Sequence, residues 1–203
     1  MNNNNDHLLT DKQLVHKVLQ GDTRAFAKII QLTEKLVASV VLKLIKDPED
    51  QKDLAQDIYL KAYNRLSGFQ FQSKLSTWIA QIAYNTCFDY LKKKKIPIYD
   101  MHSSNLETEE DGPFIATSEL LSDNSEAGLP LQNKESREIL ISAIESLPPL
   151  YKTLITLFHQ ESLSYDEIGA ITNLPSGTVK NYLFRARKKM KDILLEQYKK
   201  EEL

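Results

Sequence analysis

The chain has 203 residues, 41% of them hydrophobic and 27% charged, with a formal net charge of −2. That balance fits one large or two small folded domains and excludes wholesale disorder, and no apolar run approaches the roughly 18 residues that cross a bilayer. The start MNNNNDHLL lacks the pattern of a signal peptide, and the single cysteine, Cys87, permits no internal disulfide and points to a reducing, cytoplasmic setting.

In chain order, residues 24–46 predict a long amphipathic helix. Phe26, Ile29, Ile30, Thr33, Leu36, Val37, Val40, Val41, Leu44 and Ile45 recur on one face. Gly21-Asp22 supplies a start signal and Asp47-Pro48 a stop. Asp47 or Asp50 can cap the next helix, whose apolar stripe is Leu54, Ile58, Ala62 and Leu66. Ser67-Gly68 closes it and an aromatic loop, Phe69-Gln70-Phe71-Gln72-Ser73, follows. A third helix is expected over residues 75–95, with Trp78, Ile79, Ile82, Ala83, Thr86, Tyr90 and Leu91 toward the core. No apolar alternation is long enough for a sheet, so the fold class is all-α.

Charge divides the chain into three parts. Residues 1–95 hold 15 Lys/Arg against 10 Asp/Glu, whereas residues 96–133 hold 8 acidic residues and no Lys or Arg. That middle segment carries Pro97, Pro113 and Pro130 and little apolar periodicity, so it reads as a flexible acidic linker. Fully extended at roughly 3.3 Å per residue, it reaches over ~100 Å. Residues 134–203 form the second domain: a helix over 136–147 stopped by Pro148-Pro149, another over 150–160, and then a helix-turn-helix.

In that motif Tyr165, Ile168, Ile171 and Leu174 share one helical face. Leu174-Pro175-Ser176-Gly177 is expected to stop the first helix, with Gly177 allowing the reversal. The second helix opens at Thr178 and turns Val179, Leu183, Ala186 and Met190 inward, leaving Lys180, Asn181, Arg185, Lys188 and Lys189 outside. A basic helix so placed suits the major groove of DNA. Lys180 and Arg185 can meet phosphates or guanine edges, Asn181 can pair with adenine, and Tyr182 can meet a thymine methyl. The plain alternative is a solvated basic face.

The segments Leu147-Pro148-Pro149-Leu150-Tyr151, Leu163–Ile168, Leu174–Lys180 and Arg185-Ala186-Arg187 together resemble the promoter-binding C-terminal domain of bacterial sigma-70 factors. The extracytoplasmic function (ECF) group, with two folded domains, is the nearest likeness. Asp47–Tyr63 resembles the helix by which such factors grip RNA polymerase core, and Thr77–Asn85 with Asp89-Tyr90-Leu91 and the following lysines resembles their promoter-melting helix. Many relatives carry Ser then Arg where this chain has Asn181-Tyr182.

The resemblance implies an alternative sigma factor that directs promoter-specific initiation. Residues 1–95 would be the region 2 domain and 134–203 the region 4 domain. Thr178, Lys180, Asn181, Tyr182, Arg185 and Lys188 would read the minus-thirty-five element. Lys74, Asn85, Lys92 and Lys93 would hold the melted minus-ten strand, beside Phe69 and Phe71. Asp50, Asp53, Leu54, Gln56, Asp57, Leu60 and Tyr63 would dock on the polymerase. Trp78 is expected to be buried. An anti-sigma factor is an expected partner; no membrane insertion is expected.

No catalytic or metal-binding pattern emerges: His7, His16, His102 and His159 are scattered, so no cofactor is expected and the chain reads as no enzyme. A rival reading is a free-standing helix-turn-helix regulator whose residues 1–95 sense a ligand or dimerise. It would require a closed pocket or broad apolar interface there.

Overall fold

The computed structural model describes residues 10–94 and 134–201, and among them finds only helices and turns. The acidic segment 96–133 and the first nine residues lie outside the described residues.

Helix α1, Asp11–Leu19, is an element that the periodicity reading above does not include. It opens with a capping box: the Thr10 hydroxyl accepts from the Gln13 amide, and Gln13 Oε1 accepts from the Thr10 amide at 2.8 Å. Leu14, Val15 and Val18 are its buried side. Gly21, at φ +93°, makes the tight link to α2, a conformation that disfavours other residues.

Helix α2, Thr23–Leu44, starts where Asp22 accepts from the amides of Arg24 and Ala25. It ends one turn earlier than Asp47-Pro48 suggests, because Ile45 is already extended. Asp47, not Asp50, caps α3, Pro48–Arg65, with Pro48 in the first turn where its missing N–H costs nothing. Leu54, Ile58 and Ala62 form the buried stripe of α3 and Leu66 begins a single 3-10 turn, Leu66–Gly68. Helix α4, Leu75–Lys93, is anchored at its start by the Leu75 amide, which donates to the Asp11 carboxylate at 2.8 Å.

The second unit is α5, Lys134–Glu145; α6, Pro149–His159; α7, Tyr165–Thr172; and α8, Ser176–Glu201. Its core includes Leu150, Leu154, Leu157, Ile168, Ile171, Val179, Leu183 and Ala186. Helix α8 begins two residues before Thr178.

The two units are packed together. Helix α4 lies against α2 and α3 on one side and against α7 on the other, while α2 also meets α6. This explains why α4 buries residues round most of its circumference, among them Ile79, Ala80, Ile82, Ala83 and Cys87. Polar bridges cross the seam. Lys43 Nζ meets Glu145 at 2.7 Å, the Ser39 hydroxyl donates to Glu161 at 2.6 Å, and Lys74 Nζ meets Glu167 at 2.8 Å. Asn173 accepts from Gln81 Nε2 at 2.7 Å and donates to Asn85 Oδ1 at 3.0 Å.

Candidate nucleic-acid interface

The helix-turn-helix is built by three local devices. Ser164 and Glu167 form a capping box at the start of α7. Asn173, at φ 58°, reverses the chain in the left-handed region that asparagine tolerates better than most residues. Gly177 does not make the turn; it sits in the first turn of α8, outside the positive-φ region. Gly169 lets the turn close, because a Cβ there would stand 2.6 Å from the Leu174 carbonyl oxygen. The Ser176 hydroxyl donates to the Asp166 carboxylate and ties the start of α8 to α7.

Val179, Leu183 and Ala186 are fully buried, so the opposite face of α8 is presented outward. Lys180, Asn181, Arg185 and Lys188 are exposed and Thr178 is half-buried. Tyr182 departs from the expected outer face. It is half-buried with its ring 6.0 Å from that of Tyr151, since it follows the inward side of the helix toward α6. The outer aromatic is instead Phe184, 61% exposed among the basic residues, which the sequence reading passed over. Its place one residue beyond the Val179–Leu183 stripe was the available signal. Arg187 turns back, its guanidinium 5.2 Å from the Phe158 ring.

On the first unit, the aromatic loop is a ladder. Phe69 is buried, its ring 4.7 Å from Phe71 and 5.1 Å from Trp78. Trp78 is partly buried against the core rather than enclosed by it, because this ladder leaves one edge of the indole at the surface. Phe71 is 40% exposed at φ 56°, a strained setting for a bulky residue, with Lys12 Nζ 5.9 Å above its ring. Lys74 and Asn85 lie on the α4 side that α7 covers; Lys92 and Lys93 are exposed at the far end.

Along α3 a separate surface forms. Asp53 and Gln56 are exposed, Leu60 is 60% and Tyr63 44% exposed, and Asp57 pairs with Lys61 at 2.7 Å. Tyr63 stands edge-on to Phe26 with centroids 5.0 Å apart. Leu54 is buried, so its side chain serves the core and not an outer surface. Asp50 turns toward α4, where the Tyr90 hydroxyl and then the Lys94 ammonium hold its carboxyl below the usual range. Cys87 is enclosed, and burial pushes its thiol up to about 12 against the pull of Lys61. A thiol so placed is unreactive.

Known proteins carry the same two parts in the same order. The sigma-70 region 2 profile matches residues 29–96 and the sigma-70 region 4 profile residues 137–190. The ECF RNA polymerase sigma-E factor of Escherichia coli is 35% identical over 181 residues, 88% of this chain and 91% of that one. This chain belongs to the ECF group of the sigma-70 family. The RNA polymerase sigma-H factor of Pseudomonas aeruginosa is 31% identical over 87% of this sigma factor and 90% of its own length.

Two solved structures share the fold. CnrH, in complex with the cytosolic domain of CnrY, superposes with a TM-score of 0.60 at 18% identity, covering 91% of this chain and 96% of that one. The sigma factor RpoE from Bartonella quintana, in complex with the anti-sigma factor NepR, gives 0.58 at 22% identity over 85% and 98%. The protein is an alternative sigma factor acting in promoter-directed transcription initiation. Region 2 falls on α2–α4 and region 4 on α5 to mid-α8, so α1 precedes the matched part. Among the described residues no helix is long and apolar enough to cross a membrane. The groove in the first unit, between α1 and the aromatic loop, is open and lined by Lys12, His16, Leu19 and Phe71, unlike the enclosed pocket a ligand-sensing domain requires.

Proposed function

We propose that this sigma factor divides its work among three surfaces. The α8 face of Thr178, Lys180, Asn181, Phe184, Arg185 and Lys188 enters the major groove of the minus-thirty-five element. There the cations meet phosphates or guanine edges, and Phe184, rather than Tyr182, meets thymine methyls. Lys74, Asn85, Lys92 and Lys93, with the Phe71 loop, hold the melted minus-ten strand by stacking and charge. The α3 face of Asp53, Gln56, Asp57, Leu60 and Tyr63 docks on RNA polymerase core. Residues 1–95 and 134–203 act as two domains joined by the acidic segment 96–133.

The polymerase performs the phosphodiester chemistry; this subunit contributes address and strand opening in the cytoplasm, without catalysis of its own. An anti-sigma factor is a further partner, as the CnrH and RpoE complexes hold such a pairing in those proteins. The observation that carries the reading is the outward basic side of α8 set by its buried Val179, Leu183 and Ala186.

The test is run-off transcription by purified bacterial core polymerase on fragmented DNA of the source genome. Discrete transcripts that require the added protein are expected. Their absence, with tight duplex binding by the protein alone, would instead indicate a free-standing regulator.

A further inference from the structure

The seam between the two units runs over the α4 side on which Lys74 and Asn85 stand. Lys74 Nζ is held by Glu167 at 2.8 Å, Asn85 Oδ1 receives Asn173 Nδ2 at 3.0 Å, and Gln81 donates to the same Asn173 at 2.7 Å. Lys74 and Asn85 are eleven residues apart, about 16 Å along a helix axis, and α7 with its cap bridges that distance. A second set of bridges lies on α2, where Ser39 and Lys35 meet Glu161 and Lys43 meets Glu145. Behind them the buried apolar residues of both units form one continuous cluster.

We infer that the helix-turn-helix is an intramolecular cover for the strand-binding face: α7, through Glu167 and Asn173, occupies Lys74, Gln81 and Asn85 in the free protein and must leave before the minus-ten strand is held. This rests on reading the α4 side as the surface for single-stranded DNA. Three features favour a cover over a permanent joint. The bridges at Lys74, Asn85 and Asn173 are solvent-exposed, and exposed pairs contribute about 0–1 kcal/mol each, so they can be exchanged. The groups covering α4 are a carboxylate and an amide, which offer Lys74 and Asn85 the acceptor and donor chemistry that a phosphate and a base edge would offer. Asn173 is also the residue whose φ of 58° makes the turn, so the tip of the DNA-reading motif itself carries the lock.

Two full-length variants test this without touching the strand-binding residues. Asn173→Gly keeps the left-handed turn, which glycine adopts freely, but removes the bonds to Gln81 and Asn85. Ser39→Asp with Lys43→Glu sets acidic groups against Glu161 and Glu145 on the distant α2 bridges. The measurements are the radius of gyration by small-angle scattering and the affinity for a fluorescein-labelled, mixed-sequence single-stranded 12-mer. Circular dichroism confirms helical content.

Both variants are expected to expand and to bind the oligonucleotide about ten-fold more tightly, since apparent affinity scales with the competent fraction. For the second variant the gain would come despite a charge three units more negative, which by itself weakens DNA binding. Variants as compact as the parent with unchanged affinity would overturn the cover. Expansion without tighter binding would also overturn it, by showing that the uncovered face does not hold single strands. Run-off transcription then decides separately whether the sigma reading stands.

Discussion

Two glycines in one motif illustrate how a residue's worth is decided by its neighbours. Gly169 has the Leu174 carbonyl 2.6 Å from where a Cβ would sit, whereas Gly177 has nothing within 4 Å. Gly169→Ala should therefore push the turn off α7 and destabilise the fold by about 1–3 kcal/mol, as overpacking does. Gly177→Ala, in the first turn of a helix, should be neutral or stabilise by up to about 1 kcal/mol. Urea unfolding of the full chain reads both, and equal effects would refute the steric account. Glu167 carries a second residue-scale prediction. The Lys74 ammonium, then the Ser164 backbone amide, hold its carboxyl down to about 2. A depressed folded-state pKa stabilises above the unfolded value near 4.5, and that contribution disappears as pH falls toward 2. The melting temperature should accordingly drop between pH 5 and 2 less steeply in Glu167→Gln than in the parent.

Among the elements, α3 and α8 show the same logic on different scales. Each buries a narrow stripe and leaves an outer face whose composition differs: acidic and apolar on α3, basic with one aromatic on α8. Leu60→Ala with Tyr63→Ala removes exposed apolar area, so folding stability should change by less than about 0.5 kcal/mol apiece. Co-elution with core polymerase should weaken by about ten-fold or more, because buried aromatic and apolar anchors dominate interfaces. Lys188→Ala on α8 should leave polymerase binding unchanged. It should reduce the slope of log affinity against log salt for duplex promoter DNA by about 0.9, the value of one phosphate contact. Asp47→Ala, which removes the acceptor for the Glu49 and Asp50 amides, should cost about 1 kcal/mol of stability.

For the whole molecule, the consequential fact is that α4 has neighbours on two sides. Its Ile79, Ala80, Ala83 and Cys87 are fully buried, and small residues there let helices approach closely. One continuous core means that the free protein unfolds as a unit despite its two-part sequence. Differential scanning calorimetry of the parent should show a single transition. The Ser39→Asp, Lys43→Glu variant should split it in two, because its units no longer share the seam.

What the sequence by itself determined is what neighbouring residues can decide. The stripes of α2 and α3, the inward Val179, Leu183 and Ala186, the Asp22 and Asp47 caps and the basic face of α8 all follow from spacings of a few residues. Helix α1 was legible too, in Thr10, Gln13 and the Leu14-Val15-Val18 spacing, but it is a short pattern with a weak signal. Trp78 and Tyr182 were misplaced because each sits at the border of a stripe, where only the partner element decides burial. Leu54 was assigned outward by resemblance although its own stripe places it inside. The seam was decided by tertiary structure alone. Its bonds join residues 88 to 122 positions apart, and no periodicity of 3.6 residues carries information over that distance.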